Sequence, residues 1–339
     1  MNSMLRGMGI AGIALAVSAT ASAQDARTIR VASFTPEQAV GVRSVIIPWM
    51  EAVEAEVGDR VDLQGFWGGA LGRDPFAQFD LVKNGVVDAA WILVGYTPGQ
   101  FPQLSVTELP FALSSGEECS VVGWRLHEER LVEGLDDVHA ITIWAPDVTN
   151  VFTEEPIDDL ADLEGMRLRT AGSTQALFVE AIGALPETLG STESNEAMMR
   201  GTIDGMLQGW TGMNTFGSFE VTGAGYRVPL GCSAFLLLMN KDTWDGLPAE
   251  VQDVMMKHGG EALARSGGQA YDAATQEIID RVAADGYGVV VPDQATIDTY
   301  ADQYGQQIYD TWAAETENGD AVLEAFFRLI EEYRAESGG

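Results

Sequence analysis

Short strand-like runs recur along this chain, and helical patterns separate them. The strand-like runs of the first half are TIRVAS at 28–33, VDLQGFWG at 61–68, AAWILV at 89–94 and AITIWA at 140–145. Helical patterns fill the gaps at 42–58, 74–84 and 116–133. Alternation of this kind is typical of α/β proteins with a largely parallel sheet.

A second round of the same alternation follows. It consists of MRLRT at 166–170, helical patterns at 174–184 and 194–201, the apolar run FLLLMN at 235–240, and YGVVVP at 287–292. Residues 248–285 form one helical pattern, long enough to span two lobes unless its glycines at 259, 260, 267 and 268 bend or break it. The sequence therefore predicts two α/β lobes that more than one segment crosses.

The first 23 residues have the pattern of a secretory signal. Arg6 is the only charge, an apolar run extends from about residue 8 to 17, and Ala21 and Ala23 flank a serine. The run is too short for a membrane anchor, and no later segment is longer. We expect cleavage after Ala23 and a mature protein outside the cytoplasm.

The chain is strongly acidic, with 51 acidic and 19 basic residues and a formal net charge of −32. Removing the predicted signal deletes one arginine and no acid, which makes the charge more negative by one. Such a surface repels nucleic acid and anionic lipid. It suits a salty habitat, although drift in composition explains it equally well.

Cys119 and Cys232 are the only cysteines. An exported chain permits a disulfide. Two buried free thiols are an equal alternative, because the sequence does not fix the separation of the two residues.

The sequence offers little that resembles a catalytic motif. The three histidines have no metal-ligand spacing, no nucleophile elbow follows a strand, and neither cysteine has the flanks of a thiol protease. Paired carboxylates carry no information here, because so acidic a chain supplies accidental pairs. We predict no metal and no cofactor.

Two arginines stand out in this acidic chain. Arg167 and Arg169 lie two apart in the strand-like MRLRT, so their side chains share one face. An arginine at the end of a strand can bind a carboxylate through two parallel hydrogen bonds. From spacing alone, surface ion pairs with nearby acids such as Asp162 are the commoner explanation.

The wider sequence resembles the solute receptors of TRAP transporters, the tripartite ATP-independent periplasmic systems. The similarity rests on DLADLEGMRLRT and on ALFVEAIGALPETLGSTESNEAMMRGTIDGMLQ, which contains the family's G-x-x-D-G element at 201–205. The segments GGALGRDPFAQFDLVKNGVVDAAW, ELPF and LMNKDTWDGLPAEVQ are also similar to family segments, and the resemblance covers nearly all of 28–335.

The resemblance implies a two-lobed periplasmic binding protein, with a mixed sheet in each lobe and a long helix crossing both. Lobe I is expected to comprise 24–146 and 234–273, and lobe II 147–233 and 274–339. Such a receptor closes around a small organic anion and delivers it to the small and large membrane subunits of the transporter.

The resemblance also implies site residues. The arginine that binds the substrate carboxylate corresponds to Arg169, and a residue that often hydrogen-bonds the ligand corresponds to Gln208. Arg167 takes a lysine-like position, for which we prefer a structural or surface role. Many members carry a second arginine before a P-I turn, but the segment APDVTNVFTEEPI has none. This difference favours a monocarboxylate or a sulfonate over a dicarboxylate.

The remaining candidate site residues are chosen by their positions relative to the predicted strands and to Gln208. Trp91 and Tyr96 lie in and just after the strand AAWILV, where such a sheet presents its ligand side, and Phe34 ends the first strand. Trp210, two residues after Gln208, is a candidate for stacking on a ring, and core packing is an equal alternative. Arg73 is a candidate second positive contact or a helix cap.

Two other functions stay open at this point. One is a receptor for an ABC-type importer, against which the arginine element and the long helix argue. The other is a secreted enzyme acting on a sugar acid, which turnover of a bound ligand would reveal.

Overall fold

The structure is a computed structural model that describes residues 26–338. The predicted signal, 1–23, lies outside these residues. The strands are β1 (Arg27–Ala32), β2 (Val61–Phe66), β3 (Ala89–Leu93), β4 (Val138–Trp144), β5 (Asn150–Thr153), β6 (Arg167–Thr170), β7 (Leu185–Thr188), β8 (Gly205–Gln208), β9 (Ala224–Tyr226), β10 (Phe235–Asn240) and β11 (Gly288–Val290). The helices are α1 (Ile47–Val57), α2 (Gln78–Lys83), α3 (Gly116–Glu128), α4 (Ser173–Ala181), α5 (Ser191–Met199), α6 (Trp210–Phe216), α7 (Lys241–Asp245), α8 (Ala249–Lys257), α9 (Gly260–Ala284), α10 (Gln294–Tyr300), α11 (Gln306–Glu315) and α12 (Gly319–Glu336).

The strands form two mixed sheets. The first has the order β2-β1-β3-β10-β4, in which β1 is parallel to β2 and β3, and β10 is antiparallel to β3 and β4. The second has the order β11-β9-β5-β8-β6-β7, in which β6 is parallel to β7 and β8, and β5 is antiparallel to β8 and β9. The predicted fold class, two mixed sheets flanked by helices, is confirmed.

The chain passes between the sheets more than once. It leaves the first sheet after β4, returns to it between β9 and β10, and crosses again along α9. Leu263 in the first half of α9 packs into the core around the first sheet, whereas Ile278 and Val282 pack with Phe152 of the second. The predicted long helix is therefore present and spans both lobes.

Only one of the two glycine pairs interrupts the helical pattern of 248–285. The break falls between α8 and α9, where Gly260 has a φ of 60°. The backbone stays helical through Gly267 and Gly268. At both positions α9 packs so closely against its neighbours that an added Cβ would contact them.

Helix α3 connects the two cores. Its Cys119, Val122 and Leu126 pack in one apolar cluster with Val151 and Leu168 of the second sheet. All strands of the first sheet fall in the range predicted for lobe I, and those of the second in the range for lobe II. The C-terminal helix α12 nevertheless packs against α3, so the boundary between lobes passes through shared helices.

Cys119 and Cys232 form a disulfide, with 6.3 Å between their Cα atoms. The bond joins α3 to the segment that leads from β9 back into β10. Of the two alternatives that the sequence left open, the structure shows the disulfide.

Within residues 26–338, no helix combines the length and the apolar character that crossing a membrane requires.

Candidate functional site

A cavity lies between the sheets at the ends of their parallel strands. Parallel strands end at the same edge of a sheet, and ligands of α/β proteins bind outside that edge. Strands β6, β7 and β8 end at Thr170, Thr188 and Gln208, and β1 and β3 end at Ala32 and Leu93. The residues that follow line the cavity from both sides, among them Phe34, Tyr96, Ala171, Ser191 and Gly209.

The surface of the cavity is largely apolar, and the cavity has a volume of about 630 Å³ including its open mouth. Its aromatic wall residues are Phe34, Trp91, Tyr96, Phe216, Phe235 and Tyr271. Arg169 is the only charged side chain among the described residues that line it. One positive charge in an apolar chamber is suited to one anionic group on an otherwise apolar ligand.

Arg169 is only 1 % exposed, and neutral groups accept hydrogen bonds from its guanidinium. Nε donates to the carbonyl oxygen of Leu189 at 2.9 Å, and Nη1 donates to Leu207 O at 3.0 Å and to Gln208 Oε1 at 2.7 Å. Nη2 donates to Tyr96 Oη at 2.7 Å and to Ser191 Oγ at 3.3 Å. These contacts use all the N–H groups of a guanidinium and fix its plane, but none of them neutralises its charge.

The amide of Gln208 is oriented by the same contacts. Its Oε1 faces Arg169 Nη1 and lies 3.3 Å from Ser191 Oγ. A flipped amide would place two donors against each other, so the oxygen belongs on the guanidinium side. Gln208 Nε2 is thereby left buried without an acceptor among the described residues. It is a free donor beside a positive charge.

Tyr96 links the two sides of the cavity. It follows β3 of the first sheet, but its hydroxyl contacts Arg169 Nη2, Ser191 Oγ at 2.8 Å and Ser191 N at 2.8 Å, all on the side of the second sheet. Ser191 is the first residue of α5, so the tyrosine oxygen also accepts from an N–H that the helix leaves unused. One side chain thus ties the lobes together at the charged end of the cavity.

Two glycines allow the lobes to meet backbone to backbone near this point. A Cβ on Gly172 would lie 2.9 Å from Gly95 Cα, and a Cβ on Gly95 would lie 2.9 Å from the carbonyl oxygen of Ala171. Neither position has room for a side chain. The contact between lobes beside the cavity therefore depends on both glycines.

A buried carboxyl group lies behind the cavity wall. Glu108 is 2 % exposed, and burial raises its pKa to about 7, against the opposing effects of a hydrogen bond from Ser233 and the positive charge of Arg169. Ser233 lines the cavity, and its Oγ accepts from Gln175 Nε2 at 3.2 Å. A polar chain thus connects Glu108 with the wall.

Comparison with known families identifies the fold. The sequence profile of the bacterial extracellular solute-binding proteins, family 7, matches residues 32–315. The chain belongs to this family. The resemblance to receptors of TRAP transporters is confirmed, and the two-lobed architecture and the cavity between the lobes are those of a solute-binding protein.

Individual relatives are distant but cover most of the chain. A solute-binding protein of Albidiferax ferrireducens is 26 % identical over 257 residues, which is 73 % of this chain and 74 % of that protein. A TRAP solute-binding protein from a marine metagenome, specific for aromatic acid ligands and crystallised with 3-hydroxybenzoate, is 27 % identical with a TM-score of 0.86, covering 91 % of this chain and 99 % of that one.

For a third relative the sequence identity is low, and the similarity concerns the fold alone. The TRAP solute-binding protein of Rhodoferax ferrireducens, solved with copurified benzoate, is 22 % identical with a TM-score of 0.86, covering 91 % of this chain and 99 % of that one.

Most of the site residues predicted for this solute-binding protein meet in the cavity. Arg169, Gln208, Trp91, Tyr96 and Phe34 all line it. Arg167, two residues from Arg169, instead forms an ion pair with Asp204 at 2.7 Å and is partly exposed. The two arginines of MRLRT therefore occupy different environments on the same strand.

Trp210 and Arg73 lie elsewhere. The indole of Trp210 is turned into the core behind the cavity, where its Nε1 donates to Asn150 Oδ1 at 2.6 Å and its ring packs on Phe152. The structure thus places this indole in core packing. Arg73 is exposed in the loop before α2 and is absent from the cavity lining.

The sequence prediction missed several wall residues. Ser191, Gln175, Phe235 and Tyr271 line the cavity from four different elements or their ends. Ser191 had a usable signal, because it begins the helix after a parallel strand and such positions face the ligand edge. The ring of Tyr271 reaches the cavity from α9, and no local pattern indicates this.

Among residues 26–338, no three histidine, cysteine, aspartate or glutamate side chains come together as a candidate metal site.

Proposed function

We propose that this protein is the periplasmic receptor of a TRAP transporter and that its ligand is an aromatic monocarboxylate. The observation that carries the proposal is the single buried arginine at one end of an aromatic chamber. The 3-hydroxybenzoate complex of the marine relative supports it, since that protein is 27 % identical over nearly its whole length.

The carboxylate binds at Arg169. The 3.3 Å contact between Nη2 and Ser191 Oγ is the longest contact of the guanidinium, and a carboxylate oxygen replaces it at the least cost. A charged acceptor forms a stronger hydrogen bond with a guanidinium than a hydroxyl does.

The rest of the ligand lies against the aromatic wall. Phe34, Trp91 and Phe235 form a continuous surface, with Trp91 centred 6.0 Å from Phe34 and 4.8 Å from Phe235. An aromatic ring packs on such a surface with favourable tilted or edge geometry. A second carboxylate would find no partner, because the described wall has no other cation.

The proposal includes the export of the receptor before binding and the delivery of the ligand after it. The signal is cleaved near Ala23, and the receptor acts in the periplasm without covalent chemistry. The lobes close on the anion, and the closed receptor delivers it to the small and large membrane subunits.

The test is calorimetric titration of residues 24–339, after unfolding and dialysis, with benzoate-type acids and their amides. The acid should bind and the amide should not. Arg169→Ala should cost about 2–5 kcal/mol of binding free energy, because the buried carboxylate loses its partner.

Arg167→Ala is the matched control. It removes an arginine from the same strand, but one that contacts Asp204 outside the cavity, so affinity should stay at the wild-type level. Equal loss in both variants, or full affinity in Arg169→Ala, would sink the assignment of the carboxylate site.

A further inference from the structure

One buried carboxyl group near the cavity does not contact the proposed carboxylate site. Glu108 is 2 % exposed, and its Oε1 has no hydrogen-bond donor among the described residues. A charged carboxylate is costly in such a position, because one of its oxygens has lost water without gaining a donor. The protonated form avoids much of this cost, and burial accordingly raises the pKa of Glu108 to about 7.

The backbone of Glu108 is fixed against the segment that crosses from β9 to β10. The carbonyl oxygen of Thr107 accepts from Cys232 N at 2.8 Å, and Thr107 Oγ1 donates to the carbonyl oxygen of Cys232 at 2.8 Å. A Cβ on Gly231 would lie 2.5 Å from the carbonyl carbon of Glu108. The next residue of this segment but one is Ser233, which hydrogen-bonds Glu108 and lines the cavity. The carboxyl group thus lies one side chain behind the wall.

Neutral groups connect this carboxyl group with the arginine strand. Ser233 Oγ accepts from Gln175 Nε2 at 3.2 Å, which leaves the hydroxyl proton of Ser233 for Glu108. Gln175 Oε1 accepts from Ala171 N at 2.8 Å, two residues after Arg169. No cation pairs with Glu108 among the described residues, and the positive charge of Arg169 is the one charge that lowers its pKa. The ionised form of Glu108 therefore depends on the charge of Arg169.

The helices packed against Glu108 bring no competing charge to it. The segment that ends at Glu108 packs against α3, α4 and α12. Glu118 of α3 pairs with Arg334 of α12, and no other charged side chain of these two helices is buried. Glu180, the ionisable residue of α4, is exposed. Arg169 is thus the only cation that a bound anion could neutralise with an effect on this carboxyl group.

Two more ionisable groups lie beside the cavity but face other partners. Tyr96 directs its hydroxyl to Arg169 and Ser191. Asp147 accepts from the hydroxyl of Thr211, and burial raises the pKa of Asp147 to about 6. Because this pKa is lower than that of Glu108, a proton taken up by Asp147 would appear mainly below pH 7.

A second cleft gives the carboxyl group a route to solvent. It lies beyond the contact of Gly95 with Gly172, and its lining includes both glycines, Glu108 and, at the exposed rim, Glu315. With its open mouth it has a volume of about 1270 Å³. Glu108 therefore lies between the ligand cavity and a cleft that water fills.

We propose that Glu108 takes up a proton from solvent when an anion binds at Arg169, so that the receptor binds its acid as an anion together with a proton. A ligand carboxylate neutralises the charge of Arg169, and the ionised form of Glu108 loses the charge that stabilised it. One O–H bond forms on the carboxylate of Glu108, and the proton returns to solvent when the ligand leaves. This inference rests on the proposed function.

The sign of the pH dependence follows from this linkage. The pKa of Glu108 is higher in the complex than in the free receptor, so binding is tightest where Glu108 is already protonated. Affinity falls as pH rises from the pKa of the free receptor, about 7, to the higher pKa of the complex, and then stays constant. If the pKa rises by one unit, affinity should fall about tenfold between pH 5.5 and pH 9.5.

The experiment is calorimetric titration of the mature receptor, residues 24–339, with benzoate at pH 7.5 in buffers of different ionisation enthalpy, such as phosphate and Tris. The slope of the observed enthalpy against the buffer enthalpy counts the protons taken up for each ligand bound. Benzoate is already ionised at this pH and takes up none. For a pKa that rises by one unit from about 7, the wild type should take up about half a proton.

Two variants separate Glu108 from other acids. Glu108→Gln keeps the shape of the protonated side chain, so it should take up no proton at pH 7.5 and should bind benzoate with similar affinity at pH 5.5 and pH 9.5. Glu315→Gln is the matched control, because it removes an exposed acid from the same cleft. Its proton uptake should equal that of the wild type.

Benzoate binding to the wild type without proton uptake, or an uptake that persists in Glu108→Gln, would overturn the role of Glu108 and leave the carboxylate site intact. Failure of benzoate-type acids to bind the wild type at any pH would instead overturn the proposed function, and this inference with it. If Glu108→Gln does not fold, the wild type decides alone, since its uptake must peak between pH 7 and pH 8 and vanish at pH 5.5 and pH 9.5.

Discussion

At the scale of single residues, Arg167 and Arg169 show how far sequence reasoning reaches. Their spacing predicts one shared face, and the strand β6 provides it. Only the second arginine lies at the carboxyl end of the strand, where the cavity begins, so one is buried and the other pairs with Asp204. The local pattern favours ion pairs for both, and similarity to a family was needed to separate them.

Trp210 illustrates the opposite limit. It is close in sequence to Gln208, yet the turn into α6 directs its ring towards Phe152 and away from the cavity. The direction of a side chain after a strand end depends on the next helix and on what fills the core. The sequence left the orientation of this indole open, with stacking on a ring and core packing as equal alternatives.

Glu108 predicts a pH-dependent stability. Its pKa in the folded state, about 7, lies above the ordinary value of 4.5, so the native state holds a proton that the unfolded chain releases. Its contribution to the free energy of unfolding should therefore fall as pH rises from about 4.5 to 7, by an amount on the order of 2–4 kcal/mol, and then stay constant.

Glu108→Gln keeps the shape of the side chain and removes its titration. Urea unfolding of both proteins from pH 4 to pH 8 should show the wild type losing stability relative to the variant across that window. Two curves that run parallel would show that Glu108 does not titrate there.

At the scale of elements, the long strands and two of the short ones, β6 and β11, were predicted, whereas four short strands were missed. FLLLMN at 235–240 coincides with β10, and TIRVAS overlaps β1. Strands β5, β7, β8 and β9 have only three or four residues, which is too few to show a period, and β7 is mostly exposed. Such strands exist because neighbouring strands pair with them, which no local pattern reveals.

Helix α9 shows why glycine was misleading. The sequence left open a bend or break at Gly267 and Gly268, and the backbone is helical through both. A Cβ on Gly268 would lie 2.4 Å from the carbonyl oxygen of Gly116 and 2.5 Å from Glu117 Cα, at the start of α3. At this point the pairing of α9 with α3 requires a residue without a side chain.

We therefore expect Gly268→Ala to destabilise the protein by about 1–3 kcal/mol through overpacking. Gly267→Ala is the matched control, because it gains the same helix propensity of about 1 kcal/mol and its Cβ would meet side-chain atoms alone, Val45 Cγ2 at 3.2 Å and Trp144 Cβ and Cδ1 at 3.5 Å. Chemical denaturation measures both. A smaller loss in Gly268→Ala than in Gly267→Ala would contradict the packing argument.

At the scale of the whole molecule, the most prominent feature is the large negative charge. A net charge of −32 on 339 residues repels itself, and the ion pairs of the described surface engage only part of the acids. The chain has 19 lysines and arginines to offset 51 acidic residues.

Added salt should therefore stabilise the protein. Screening weakens the repulsion, so the melting temperature at neutral pH should rise between 0.01 and 1 M sodium chloride, at about 2–4 °C for each kcal/mol gained. The same series near pH 4, close to the sequence pI of about 4.1, is the control and should show a much smaller rise. A melting temperature that is insensitive to salt at neutral pH would refute this expectation.

The contact of Gly95 with Gly172 has a consequence for how such a receptor could be dissected. Neither glycine contributes an atom to the hydrogen bonds around Arg169. A single methyl group at Gly172 would nevertheless lie 2.9 Å from Gly95 Cα, where the two lobes meet. Gly172→Ala would therefore keep every side chain that lines the cavity and would push the two lobes apart beside it. A comparison of this variant with the wild type would separate the binding of a solute from the closing of the lobes around it.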